Sequence, residues 1–175
     1  MVADVDREFS QLPGTKNFSV EEFQDDLNAV WYEFQNEQQV LNWLGYPAML
    51  KRLASLMAEQ IDAQVDRIVA TGLAADTLGT AIALETGIPF AVLRLVDESL
   101  LLTAGNTHPE ENIALFSFWP SEGTDVQEWA KQSGLSVSSW TVFAQQDEGS
   151  ALLAPQQALF ASVNGKLVYQ QGEKP

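Results

Sequence analysis

Residues 112–125 read "NIALFSFWPSEGTD" and hold the groups of this chain best placed to meet an anion. Ile113, Ala114, Leu115 and Phe116 form an apolar run, as expected of a strand buried on both faces. Pro120 and Gly123 break the run, and "DVQEWAKQSG" then reads as a helix. A strand, a small-residue loop and a helix N-terminus make a common phosphate cradle, because free backbone N–H groups and the helix dipole both favour negative charge. Ser121, Gly123 and Thr124 could donate to such a phosphate. Glu122 and Asp125 would oppose it, each by about 1 kcal/mol or more at roughly 4–6 Å and intermediate dielectric. With no phosphate present, the same acids would cap the helix and complement its dipole. Both readings of the loop stay open on these residues.

Other chemistries find little support. The chain has no cysteine and a single histidine, His108, so disulfides, thiolate sites and transition-metal sites are not expected. A Ser-His-Asp triad would need His108, which reads as a surface loop residue. Nothing around Ser99 or Ser117 has the form of a nucleophile elbow. The acid pairs in "DREF", "DD" and "EE" read as solvated helix faces.

Charge narrows the partners. The 175 residues include 24 acids and 9 bases, for a net charge of −15. The bases are scattered, with only Lys51 and Arg52 adjacent, so binding to a nucleic-acid backbone is not expected. The acidity serves solubility or attracts a basic protein partner. The opening "MVADVDREFSQLPG" lacks a basic and then apolar leader pattern, so no secretory signal is expected. No stretch approaches the ~18 apolar residues of a membrane span. A soluble cytoplasmic protein without membrane contact is the expectation.

The positioning elements follow from periodicity. Residues 1–18 read as a disordered lead-in and 19–46 as a helical segment. Ser19 is a candidate N-cap with Glu22 completing a capping box, and Phe23, Leu27, Trp31 and Phe34 recur at helical spacing. "EQQVLNWLG" suggests a short helix closed by Gly45. Pro47 suits the first turn of another, whose stripe is Leu50, Leu53, Met57 and Ile61. These stripes read as core or dimer contacts.

From residue 65 strands and helices alternate: "DRIVAT", a helix in "GLAADTLGTAIALETG", "IPFAVLRL", a long polar connection with room for a hairpin, "NIALFSF", the helix after it, "VSSWTVFAQ", a strand within "ALLAPQQALFASV", and a hairpin tail in "NGKLVYQQ". This order predicts an α/β fold with a mostly parallel twisted sheet flanked by helices and an N-terminal helical extension. Residues 47–175 would form the α/β domain.

In order and spacing, "VDRIVATGLAADTLGTAIALETGIPFAVLR", "NIALFSFWPSEGTD", "LSVSSWTVFAQQDEG" and "ALFASV" together resemble the type I phosphoribosyltransferase fold, nearest to orotate phosphoribosyltransferases, over residues 47–163. The resemblance implies a pyrophosphate loop at Thr71, Gly72, Asp76 and Thr77. It also implies a loop for phosphoribosyl pyrophosphate (PRPP) at Ser117, Phe118, Trp119, Ser121, Glu122, Gly123, Thr124 and Asp125. Several positions depart from the family pattern. Ser117 and Phe118 stand where the family has two adjacent acids that hold the ribose hydroxyls. The pyrophosphate loop keeps one glycine and gains Asp76. After Arg94 the chain runs Leu95-Val96-Asp97-Glu98, with no lysine or arginine before Lys131, so the cationic catalytic loop of orotate enzymes has no counterpart.

These departures lead to a non-catalytic phosphoribosyltransferase-like protein acting in protein interaction or regulation, without catalytic or metal-binding residues. The alternative is a divergent phosphoribosyltransferase, a glycosyltransferase by class, or a nucleotide or PRPP sensor. No cofactor is expected, and Mg²⁺ only if PRPP still binds. The resemblance implies a homodimer, and a protein partner of unknown identity fits the first reading. Trp31, Trp43, Trp119 and Trp140 are expected to be exposed. Trp119, at a strand's C-terminal end, would fill the vacated pocket or face a partner or an altered ligand.

Overall fold

A computed structural model describes residues 19–31, 37–120, 124–145, 152 and 156–170. Three helices lead: α1 (Val20–Val30), α2 (Glu37–Leu44) and α3 (Pro47–Ala58). The α/β part follows as β1 (Arg67–Thr71), α4 (Ala75–Thr86), β2 (Phe90–Val96), β3 (Ser99–Ala104), β4 (Asn112–Ser117), α5 (Thr124–Gln132), β5 (Ser136–Gln145), β6 (Gln156–Val163) and β7 (Lys166–Tyr169). The lead-in 1–18 and Phe34 lie outside the described residues. No helix among those described is long and apolar enough to cross a membrane.

The strands form one seven-stranded sheet in the order β3-β2-β1-β4-β5-β6-β7. Strands β2, β1, β4, β5 and β6 are parallel, and β3 and β7 add antiparallel edges. Central strands are apolar on both faces, as a doubly covered sheet requires, and all five residues of β1 are buried. One face carries the larger core, in which Phe23, Leu27 and Trp43 of the leading helices meet Phe143, Phe160 and Leu167 of the sheet. On the other face Leu93, Leu115, Trp140 and Val142 pack with Val126 and Ala130 of α5.

Local chemistry sets the element ends. The Ser19 hydroxyl accepts from the Glu22 backbone N–H at 3.0 Å, which caps α1. Pro47 begins α3, and Gly87 ends α4 in the left-handed conformation with its N–H on the Ala83 carbonyl. The stripe expected on α3 is only partly realised. Leu53 and Met57 are fully buried, whereas the helix stops at Ala58 and Ile61 lies beyond it.

The long polar connection after β2 resolves into a tight hairpin. Asp97 and Glu98 both take positive φ (47° and 65°), the signature of a type I′ turn. They set Val96 opposite Ser99 and Arg94 opposite Leu101. Gly105 then closes the edge. Its φ is +69°, and a Cβ there would lie 2.4 Å from the Phe90 carbonyl oxygen, so only glycine fits.

At the start of the sheet, one ion pair and one backbone hydrogen bond to a carboxylate tie the β1 end to the start of β4. The Arg67 guanidinium donates from Nε and an Nη to both Glu111 carboxylate oxygens at 2.8 and 2.7 Å. The Asn112 N–H donates to Asp66 Oδ2 at 2.8 Å. Glu111 also accepts from the His108 backbone N–H. The Arg67 hydrogen bonds outweigh burial and hold the Glu111 carboxyl down at about 2. The reading of the acid pairs as solvated helix faces therefore fails for Glu111, a half-buried loop residue, and for Asp26, which pairs with buried Arg52 at 2.7 Å.

Candidate functional site

The sheet order places a topological switch between β1 and β4. The chain leaves β1 for β2 on one side, and β4 and β5 build up the other. Ligands of open α/β sheets bind outside the carboxyl ends of the strands at such a point. The register puts Thr71, the last residue of β1, beside Ser117, the last of β4. The strand ends from which the two loops singled out in the sequence depart are thus side by side.

On the β1 side, Thr71 is buried and Gly72 turns the chain with φ +76°. Ala74 takes φ 59° immediately before α4, with no side chain capping the helix. A Cβ on Gly72 would meet nothing within 4 Å, so the space over the turn is open. Thr77 is half-buried in the first turns of α4. Asp76, also in the first turn, is exposed and ion-paired with Arg94 of β2. Its charge is therefore countered within the chain. Arg94 is spent on that carboxylate, though an exposed pair of this kind contributes little to stability.

The described part of the β4 side is lined by hydrocarbon. Ser117 is buried and its hydroxyl accepts from Trp140 Nε1 at 3.1 Å. Phe118 is 0% exposed. Its ring lies 4.4 Å from Phe143 and 4.6 Å from Trp119, and its carbonyl accepts from the Ala144 N–H. Trp119 is half-buried, with Trp31 at the end of α1 at 5.8 Å and Phe143 at 6.3 Å. One tryptophan from the leading helices and one from the β4 loop thus meet over the carboxyl end of the sheet. Ser121, Glu122 and Gly123 lie outside the described residues. Thr124 begins α5, and Asp125 is exposed in its first turn, where it complements the helix dipole.

Exposure of the tryptophans is corrected on two counts. Trp43 (3% exposed) and Trp140 (0%) are core, and Trp31 and Trp119 are half-buried against each other. Indole exposure cannot be judged one element at a time, because Trp43 is covered by Phe23 and Phe143 from distant parts of the chain. Three contacts were missed in the sequence: Trp31 on Trp119, Trp140 on Ser117, and Arg94 on Asp76. Only the first had a signal, since Trp31 continues the Phe23–Leu27 stripe. Among the described residues no three His, Cys, Asp or Glu side chains cluster as a metal site would require.

No protein-family model matches the chain, and no curated protein sequence matches it either. Solved structures do. Adenine phosphoribosyltransferase from Thermoanaerobacter pseudethanolicus aligns with TM-score 0.55 at 12% identity, covering 66% of this chain and 80% of that one. UMP synthase from Leishmania donovani gives 0.52 at 20%, over 67% of this chain and 27% of the other. Adenine phosphoribosyltransferase from Leishmania tarentolae gives 0.50 at 16%, over 61% and 62%. This chain thus spans less than two thirds of the last two proteins. The fold is that of the type I phosphoribosyltransferases, as the four sequence segments implied.

Proposed function

We propose that this protein is a phosphoribosyltransferase-fold protein that no longer transfers phosphoribosyl groups and acts through protein interaction or regulation. The observation that carries this reading is the filling of the switch crevice at the end of β4. The family pattern calls for two acids to hold ribose hydroxyls there. This chain has Ser117, engaged by Trp140, and Phe118, fully buried among aromatic rings. Phosphoribosyl transfer depends on positioning and on electrostatic stabilisation of developing charge. A buried phenyl ring supplies neither a hydroxyl ligand nor a partner for Mg²⁺, so the residues at this position do not fit a PRPP–Mg²⁺ complex.

A second reading is a divergent phosphoribosyltransferase or a PRPP or nucleotide sensor. The structural neighbours weigh toward it more than toward the first, since those named above are adenine phosphoribosyltransferases and UMP synthase. The open turn at Gly72 beside Thr71 also favours it. The deciding assay is pyrophosphate release from PRPP and Mg²⁺ in the presence of adenine or orotate. The first reading expects no release above that of a protein-free control. Release well above that control would establish the second.

A further inference from the structure

The two edges of the sheet are treated differently by the chain. At β7, side chains of α1 occupy the outer backbone groups. Asn28 accepts from the Leu167 N–H at 2.7 Å and donates to the Leu167 carbonyl at 2.9 Å, and Gln24 accepts from the Tyr169 N–H at 2.7 Å. This edge is closed to further strands.

At β3 nothing comparable occurs among the described residues. The type I′ turn makes Val96–Ser99 and Arg94–Leu101 the hydrogen-bonded pairs of the hairpin, by the alternation of an antiparallel ladder. The N–H and C=O groups of Leu100 and Leu102 therefore point away from β2. Strand β3 reads Ser-Leu-Leu-Leu-Thr-Ala, with no lysine or proline, and its ladder with β2 is regular from the turn to Leu102, shifting register only beyond it. On the strand itself Leu101 stands 49% exposed.

The surroundings of this edge are acidic. Asp97 and Glu98 form its turn and are exposed. Helix α5, which packs on the same face as Leu100 and Leu102, adds exposed Asp125 and Glu128 against one base, Lys131. The nearest arginine, Arg94, is paired with Asp76. A second copy of a chain with net charge −15 would bring like charge to like.

We infer that the β3 edge is a docking site for an extended, cationic and apolar segment of a partner protein, which adds an eighth strand to the sheet. Main-chain hydrogen bonds to Leu100 and Leu102 hold the segment. Its apolar side chains lie beside Leu101, and its basic ones meet Asp97 and Glu98. This is recognition by strand addition, with affinity from the backbone and selectivity from alternate side chains. The site is separated from the switch crevice by β2 and holds whichever reading of that crevice is correct.

The test uses the full chain and a fluorescein-labelled octapeptide of alternating lysine and valine, with an alternating glutamate-valine peptide as control. The lysine peptide should bind and slow amide exchange at Leu100 and Leu102, and the glutamate peptide should do neither. Leu101→Lys, at an exposed edge position, should weaken binding by about tenfold or more. Asp97→Asn with Glu98→Gly gives the preferred Asn-Gly turn and so keeps the hairpin folded. That variant should bind several-fold more weakly at low salt, a difference that fades near ~1 M salt as screening tightens. Unchanged exchange at Leu100 and Leu102 on binding, or unchanged affinity in Leu101→Lys, would overturn the proposal. So would a wild-type dimer in sedimentation that Leu101→Lys dissociates, since a second copy would then own the edge.

Discussion

Phe118→Ala is the substitution whose magnitude follows most directly from the structure. The ring is 0% exposed and lies within 4.4 Å and 4.6 Å, centroid to centroid, of Phe143 and Trp119. Truncating a buried phenylalanine costs ~3–5 kcal/mol, which combines lost transfer energy with the cavity left behind. Each aromatic pair adds ~0.5–1.5 kcal/mol beyond area. Phe143 is backed by Trp43 and Phe160 and Trp119 by Trp31, so the walls have little freedom to collapse into the space. The upper half of the range, about 4 kcal/mol, is therefore expected. For a chain of this length each kcal/mol moves the midpoint by ~2–4 °C, so Tm should fall by roughly 8–16 °C. Urea denaturation followed by tryptophan fluorescence should give the same loss with an unchanged slope. A loss under about 1 kcal/mol would show that Phe118 sits in a yielding crevice and would refute the packing argument.

Three further outcomes follow from other contacts. Glu111→Gln should cost about 2 kcal/mol near neutrality, less than the full value of its pKa displacement because solvent still reaches the pair. The carboxyl is held at about 2, below its ordinary 4.5, so its contribution is complete above ~5 and fades as pH falls toward 2. Acid titration of stability should therefore be steeper in the wild type than in Glu111→Gln across that window, and parallel curves would remove the Arg67 clasp from the explanation. Asn28→Ala leaves the Leu167 N–H and C=O at the β7 edge without their partner and should cost ~1–2 kcal/mol, with faster amide exchange at Leu167 as the specific sign. Gly105→Ala places a Cβ 2.4 Å from a backbone oxygen at φ +69° and should cost ~2 kcal/mol or more, whereas a neutral outcome in thermal melts would mean the Phe90 strand shifts freely.

The strands and helices that build the sheet were legible because each carries its own period. The apolar run Ile113–Phe116, bounded by Pro120 and Gly123, reads as a doubly buried strand, and Ser19, Pro47 and Gly87 mark helix ends by chemistry that acts within a turn. The hairpin after β2 was harder to see. Its turn is Asp97-Glu98, two residues forced to positive φ, where an Asn-Gly pair would have announced it. Both candidate loops were proposed because their order follows a known fold, and the register sets the strand ends from which they depart, Thr71 and Ser117, side by side. Trp119 was one stated candidate to fill the pocket, but the residues that pack with it were not legible. Trp31 and Trp119 lie 88 positions apart in the chain, and Trp140 reaches Ser117 across a strand pair. The stripe on α1 announces that Trp31 is covered but not by which residue, and the Trp140 contact leaves no local pattern.

The filled crevice is tested most directly by a thermal-shift titration of the wild-type chain with PRPP and Mg²⁺, with the ligand raised well past millimolar. Aromatic rings where the family pattern has its ribose-binding acids predict no movement of the transition beyond that given by Mg²⁺ and pyrophosphate alone. A ligand at about 100 times its dissociation constant adds ~2.7 kcal/mol. At ~2–4 °C per kcal/mol, a saturable rise of roughly 5–10 °C specific to PRPP would contradict the closed site.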